Sequence, residues 1–260
     1  MQDAEFIPSA QRLGFASLFE AVRPMRTCID SVLEGRCGSL IVDTAAESGT
    51  AWILAPPFWL AAGPCDSAAA RSLAETIEQF GGVVVADEDW LAAIEARCPD
   101  RTDRVSRTSF ETSGLDRARL QGLATPRLPG LEVVRLDAEL LSAACARISP
   151  DLLFSTSFGS AAAFERDGIG FCVLSDAQLV AAAASAFVSA NAIEVQVNTR
   201  PDQRGRGLAT LASAALLVSC LDNGLRPNWD TGNPVSQRLA ERLGYTPLPA
   251  YEMLEVAPRA

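Results

Sequence analysis

VNTRPDQRGRGLAT, residues 197–210, places Arg200, Arg204 and Arg206 around Gly205 and Gly207 in a chain whose formal net charge is −10. It sits between AIEVQVNT, which alternates like a strand, and LATLASAALLVSCLDNG, which is apolar at helical spacing and ends on an Asn223–Gly224 stop signal. Glycines allow positive φ and close approach of a ligand to the backbone. The start of the following helix offers unpaired N–H groups and the positive end of its dipole. Arg204 and Arg206 add charge that can neutralise phosphate oxygens. The turn therefore reads as a diphosphate site, although a tight connection bearing solvated arginines has the same local pattern.

Composition narrows the chemistry. All 22 basic residues are arginine, and histidine is absent. A P-loop lacks its lysine here, a Ser–His or Cys–His relay lacks its histidine, and no His-ligated metal site is possible. The dinucleotide fingerprint fails too, because Thr210 stands where its third glycine would fall. The seven cysteines are scattered with no C-x-x-C pair, which predicts reduced, structural thiols in a cytoplasmic protein. The N-terminus shows no secretory pattern and no apolar run reaches the ~20 residues of a membrane span. A pI near 4.6 argues against nucleic acid and fits a small cationic partner.

Outward from the turn, proline and glycine in QGLATPRLPG (121–130) mark a break. They predict an N-terminal α/β domain over 1–125 and a second domain over 126–260. Upstream, GSLIVDT, TAWILA and FGGVVVAD read as strands. DSAAARSLAETIEQFGG reads as a helix capped by Asp66, and DEDWLAAIEARC as a helix with an acidic first turn. PPFWL (56–60) reads as a packed loop. Downstream the order is strand, two helices, three strands, helix, short strand, helix and a last strand, YEMLEV. This is a mixed α/β pattern, a central sheet with helices on both faces.

The segment Arg204 to Ala209 fits Arg-x-x-Gly-x-Ala and follows a strand and Pro201. It resembles the coenzyme A pyrophosphate loop of the GNAT N-acetyltransferase superfamily. Asn233, Ser236 and the Leu243-Gly244-Tyr245 ending resemble the family's next segment, and the likeness runs from about Gly168 to Val256. GLRPNWDTGNPVSQRLAERLGY with GFCVL and YEMLEV is closest to a bacterial subgroup carrying an additional N-terminal domain. The resemblance implies a GNAT acyl-CoA N-acyltransferase fold in the C-terminal domain and acetyl-CoA or coenzyme A as co-substrate. It also implies acetyl transfer to a primary amine in a ternary complex, without metal. A non-catalytic acyl-CoA-binding module is the alternative.

Carried over residue by residue, the backbones of Val197 and Thr199 would bond the pantetheine arm, and a strand N–H near Gln196 would face the thioester oxygen. The amides of Gly205, Arg206, Gly207, Leu208 and Ala209 would hold the pyrophosphate beside Arg204, and Asn233, with Ser236 on the next helix, would contact the carrier or a bound water. Glu194, ten residues before Arg204, would serve as general base. It shares a polar strand face with Gln196 and Asn198. The family's acid, a tyrosine four residues before the glycine, is replaced by Ala240. Only Tyr245 and Tyr251 remain in the chain; Tyr245 reads as core and Tyr251 as the looser acid candidate. On the strand after the loop helix, Trp229 and Asp230 are candidates to shape the acceptor site, while Trp229, a large aromatic beside a sheet, reads first as core. The N-terminal segment, similar in α/β character, has no second Arg-x-x-Gly-x-Gly/Ala turn, so one coenzyme site is expected. It would wall the acceptor cleft or support a homodimer.

Overall fold

The computed structural model describes residues 4–43, 49–65, 68–148 and 157–259. The chain divides into two compact units, the first made of residues 1–107 with 250–260 and the second of residues 108–249.

The first unit holds β1 (Ala4–Ile7), a 3-10 stretch (Ser9–Phe19), α1 (Arg26–Leu33), β2 (Ser39–Asp43), β3 (Ala51–Ala55), β4 (Phe58–Ala62), α2 (Ala68–Phe80), β5 (Gly82–Val85) and α3 (Glu88–Arg97). Residues 102–107 of β6 (Thr102–Glu111) and the chain's last strand, Tyr251–Val256, complete it. Its strands run β1-β2-β3-β4-β5, then Tyr251–Val256, then β6. Only β4 and β5 pair in parallel. A core of Trp52, Trp59, Leu73, Ile77, Trp90 and Leu254 fills this unit. α3 starts where Asp87 accepts the Trp90 amide at 3.1 Å, with Glu88 and Asp89 in its first turn, as the acidic start of that segment predicts.

The second unit holds the end of β6, α4 (Arg117–Leu123), β7 (Leu131–Arg135), α5 (Ala138–Arg147), α6 (Ala161–Asp167), β8 (Gly170–Ser175), β9 (Gln178–Val188) and β10 (Ala192–Thr199). After the turn come α7 (Leu208–Asp222), β11 (Arg226–Asn228), β12 (Asp230–Thr231), α8 (Pro234–Leu243) and β13 (Thr246–Pro247); the first unit's Tyr251–Val256 is then β14. The main sheet runs β11-β10-β9-β8-β7, antiparallel except for β10 with β11. Asp176 and Ala177, both at positive φ, form the two-residue turn between β8 and β9. Ala181, Ala183, Ile193 and Val195 pack on one side of this sheet with Leu211 and Leu217 of α7. Ala182 and Ala184 pack on the other with Leu141 and Phe164. The alanine run of β9 keeps both layers close to the sheet.

Several expectations change. Pro56 and Pro57 form a two-residue turn, and Phe58 pairs with Ala55, so PPFWL starts a strand instead of forming a loop. Prolines suit a turn position and cannot continue a ladder. β6 was not predicted: its sequence, TDRVSRTSFE, is mostly charged or polar. Residue 125, where a boundary was expected, lies inside the second unit. Leu120 of α4 is fully buried in the core with Leu216 and Leu217, and Arg117 pairs with Asp222 of α7 at 2.5 Å. β14 belongs with the first unit, where it pairs with β5 and with Thr102–Arg107. The Asp66 cap lies outside the described residues.

All seven cysteines are free thiols; burial pushes Cys172 and Cys220 up to about 12. Among the described residues no helix is long and apolar enough to cross a membrane, and no group of three His, Cys, Asp or Glu could hold a metal.

One exposed network fastens the first unit. Arg104 of β6 reaches Glu88 and Glu95 of α3 at 2.7 Å and Glu252 of β14 at 2.8 Å. Hydrogen bonds from Arg104 hold the Glu88 and Glu95 carboxyls below their ordinary range. Depressed carboxylates contribute stability that is present above their unfolded pKa and lost as pH falls through the folded one. Arg104→Gln should therefore lower the melting temperature at neutral pH, and thermal melts should show the gap from wild type closing as pH falls towards about 3. A gap that is unchanged by acid would show that the network adds nothing.

Candidate functional site

The second unit's sheet opens in the middle. β10 pairs with β11 only from Ala192 to Glu194, opposite Arg226 to Asn228. After Asn228 the chain turns away, and Asp230 and Thr231 pair with Ser109 and Thr108 instead. Trp229 sits at the departure, 2% exposed, with its ring 5.5 Å from Tyr245 and its Nε1 donating to Ser236 Oγ at 3.1 Å. Burying that indole pulls the chain off the sheet.

The opening bares one edge of β10. The Arg200 amide donates to Val180 of β9 at 2.9 Å, and the Arg226 amide donates to Asn191 on the opposite side. Alternation along the strand then turns the amides of Gln196 and Asn198 towards β9 and those of Val195, Val197 and Thr199 away from it; the Val195 amide meets the Asn228 carbonyl at the last paired position, so those of Val197 and Thr199 face the open side. The amide expected near Gln196 is thus that of Val197. Side chains alternate as well. Val195 and Val197 join the core under α7, while Glu194, Gln196 and Asn198 lie on the other face. Glu194 is 8% exposed, at the last residue paired with β11.

The opening quoted sequence forms the next piece. Pro201–Gln203 make a single 3-10 turn. Arg200 grips Asp202 through Nε at 2.6 Å and Nη2 at 2.9 Å, and Gln203 donates to the same carboxylate at 3.1 Å. These donors, Arg200 first, hold Asp202 down to about 2, so it stays charged and the brace persists through the neutral range. Gly205 and Gly207 take φ of 79° and 78°, and a Cβ on either would meet nothing within 4 Å. They are glycine for backbone conformation, with open space outside.

Gly207 is the N-cap of α7 and carries no side chain to satisfy the first turn. The first closing bond is Leu211 N–H to Gly207 at 3.1 Å. Among the described residues, the amides of Gly205, Arg206, Gly207, Leu208, Ala209 and Thr210 have no protein acceptor. The side chain of Leu208 is buried, so only its amide faces the site. Arg204 donates to the Thr199 carbonyl at 3.4 Å and Arg206 to Gln203, and neither meets a carboxylate among the described residues. Two exposed cations and a row of bare amides at a helix N-terminus have the chemistry to receive an anion.

The remaining sequence candidates fall elsewhere. Asn233 Oδ1 accepts the Ser236 amide at 2.8 Å and caps α8, with Pro234 at the first helical position. Ser236 Oγ is taken by Trp229. Tyr245 is buried, as expected for core. Its hydroxyl donates to the Pro227 carbonyl at 2.7 Å, and burial holds the phenol well above its ordinary range. Tyr251 stands on β14 in the first unit, opposite Arg107. Sequence reading missed that the open edge begins at the Val197 amide, and it missed the Arg200–Asp202 brace. The signal for the first was the strand break at Asn228–Trp229, and for the second the Arg-Pro-Asp sequence itself.

The second unit is thus a mixed α/β layer with a splayed parallel pair and an amide-lined turn after the inner strand. The model of the GNAT acetyltransferase family matches residues 16–254, and the chain belongs to that family. An uncharacterized N-acetyltransferase, YdfB of Bacillus subtilis (strain 168), is 27% identical over 166 residues, 63% of this chain and 61% of that protein. The chain thus aligns with less than two thirds of that relative's length. A GCN5-related N-acetyltransferase-like protein from Streptococcus suis 89/1591 superimposes with a TM-score of 0.83 at 27% identity, covering 96% of this chain and all of that one. A tandem GNAT protein from the clavulanic acid biosynthesis pathway shares the fold, with a TM-score of 0.62 at 15% identity over 99% of this chain and all of that one.

Tyr245 donates one buried hydrogen bond and has no path to solvent, so it acts in the core. Tyr245→Phe should cost about 1 kcal/mol in denaturant unfolding and leave any acyl-transfer rate within twofold of wild type. A large rate loss without a stability loss would give it a chemical role.

Proposed function

We propose that the second unit is an acetyl-CoA-dependent N-acetyltransferase acting on a primary amine of a small molecule. The observation that carries this reading is the run of bare amides: Val197 and Thr199 along the open strand edge beyond the last paired position, then Gly205 to Thr210 at the head of α7, flanked by Arg204 and Arg206. Pantetheine is an extended chain of amides that suits a strand edge, and a diphosphate suits the helix N-terminus. Coenzyme A joins the two in that order.

At the end of the pantetheine arm away from the diphosphate, the edge amide of Val197 would donate to the thioester oxygen as charge develops there. A preorganised donor of this kind is worth about 3 kcal/mol at the barrier. Glu194, on the opposite face of the same strand segment and little exposed, would take the proton from the attacking amine through a water. The nitrogen–carbonyl bond forms as the carbon–sulfur bond breaks. The thiolate then takes a proton from solvent, since the second unit's tyrosine is committed to Pro227. Free thiols near pKa 8.5 tolerate such a leaving step. The acidic chain favours a cationic acceptor.

A non-catalytic acyl-CoA-binding role is the second reading, favoured by Ala240 in place of the family's tyrosine. Glu194→Gln separates the two. If Glu194 is the base, calorimetry should give an acetyl-CoA affinity within twofold of wild type while turnover of an amine panel falls at least 100-fold. Turnover unchanged in the variant would remove Glu194 from the chemistry, and no turnover in the wild type with any amine, beside intact acetyl-CoA binding, would favour the binding module.

A further inference from the structure

Three arginines stand in residues 200–207, yet the turn does not present three free cations. Arg200 commits its guanidinium to its neighbours. Nε and Nη2 clasp both oxygens of Asp202, at 2.6 and 2.9 Å, and Nη1 reaches Gln178 Oε1 at the start of β9 at 3.4 Å. A two-pronged contact between guanidinium and carboxylate is the strong form of such a pair. The backbone of Arg200 is fixed as well: its amide donates to Val180 and its carbonyl accepts the Gln203 amide, both at 2.9 Å. Arg200 therefore belongs to the frame of the turn.

Gln203 carries that frame onward. Its Nε2 donates to Asp202 Oδ2 at 3.1 Å, and its Oε1 accepts from Arg206 Nη1. A carboxylate only accepts and a guanidinium only donates. An amide lying between them satisfies both in one orientation alone, with nitrogen towards Asp202 and oxygen towards Arg206. Arg206 itself stands between two glycines at positive φ, so the bond to Gln203 is the one hold on its guanidinium among the described residues. We infer that Asp202 and Gln203 are positioning residues for the anion site: through one line of hydrogen bonds they keep Arg200 out of it and hold Arg206 at it. The nature of the anion, the diphosphate of coenzyme A, rests on the reading given above for the second unit.

Electrostatics alone gives Asp202 the opposite effect. Its side chain is more than half exposed and, held down to about 2 by Arg200 and Gln203, is an anion throughout the neutral range. It stands just before the bare amides that begin at Gly205. A like charge beside a bound anion weakens the binding, so an Asp202 that served only solubility would be removed at a gain. As part of the line it is removed at a loss. Gln203 loses the acceptor that orients its amide, Arg206 swings into water, and a long side chain must then be ordered when the ligand arrives. Each effect is small for exposed groups, so the sign decides between them.

Calorimetric titration of the full chain with coenzyme A tests this, in a double-mutant cycle of Asp202→Ala and Arg206→Ala. Asp202→Ala should weaken coenzyme A about fivefold when Arg206 is present. Once Arg206 is alanine nothing is left to hold, and the same substitution should lower affinity by less than about twofold or raise it. A merely structural aspartate would act alike in both backgrounds. Affinity unchanged or raised by Asp202→Ala beside a native Arg206, or lowered by one factor in both backgrounds, would overturn the positioning role while leaving the coenzyme A reading intact. No uptake of coenzyme A by wild type would instead refute that reading, and the positioning role would fall with it.

Discussion

The first turn of α7 is held in place by everything behind it. Leu208, Leu211, Ala212, Leu216, Leu217 and Cys220 are all buried, so the helix can neither slide nor tilt without opening the core of the second unit. Its N-terminal amides are fixed in space before any ligand arrives. Fixed dipoles cost no reorganisation when charge is bound, which is why an anion site built on a buried helix exceeds one on a mobile loop. Gly207 at the N-cap leaves those amides bare, where serine or aspartate would have satisfied them. The arrangement forgoes about 1 kcal/mol of helix capping and leaves donors open for a ligand of the proposed kind.

The second requirement is the split between β10 and β11. A continuous sheet would satisfy the strand edge and leave no place for an extended ligand. Trp229 prevents this by diving into the aromatic cluster with Tyr245 and Phe110, where its indole N–H finds Ser236. Tyr245 reinforces the corner by bonding the Pro227 carbonyl at the last stretch of paired strand. The aromatic residues near the opening thus act through packing: they set where pairing stops. Glu194 lies at that stopping point, so its carboxylate is set on one face of the strand just before the open edge begins at Val197.

Much of the second unit was readable from residue order. The three strands β8 to β10, the helix after the turn and its Asn223–Gly224 end all follow from period and punctuation, because these elements are apolar and locally capped. The glycine turn was legible through its charge. What failed were features decided by distant partners. β6 carries few apolar side chains and becomes a strand because β14, β12 and β13 pair with it. YEMLEV reads as a strand, but nothing in its six residues says that it returns to the first unit. Asn233 and Ser236 look like ligand contacts by spacing, yet an asparagine before a proline and a helix is also a cap, and here the cap is made. Amide direction along β10 depends on where β11 ends, which no local pattern states.

Nitrogen-15 NMR of the chain titrated with coenzyme A reads the bare amides one by one. If α7 and the open edge of β10 clasp the carrier, the signals of Gly205 to Thr210 and of Val197 and Thr199 should shift together with one saturation curve, while Gln196 and Asn198 move less. Saturable shifts confined to other parts of the chain, with the Gly205 to Thr210 amides unmoved, would contradict a diphosphate at this helix and the acyl-transfer assignment built on it.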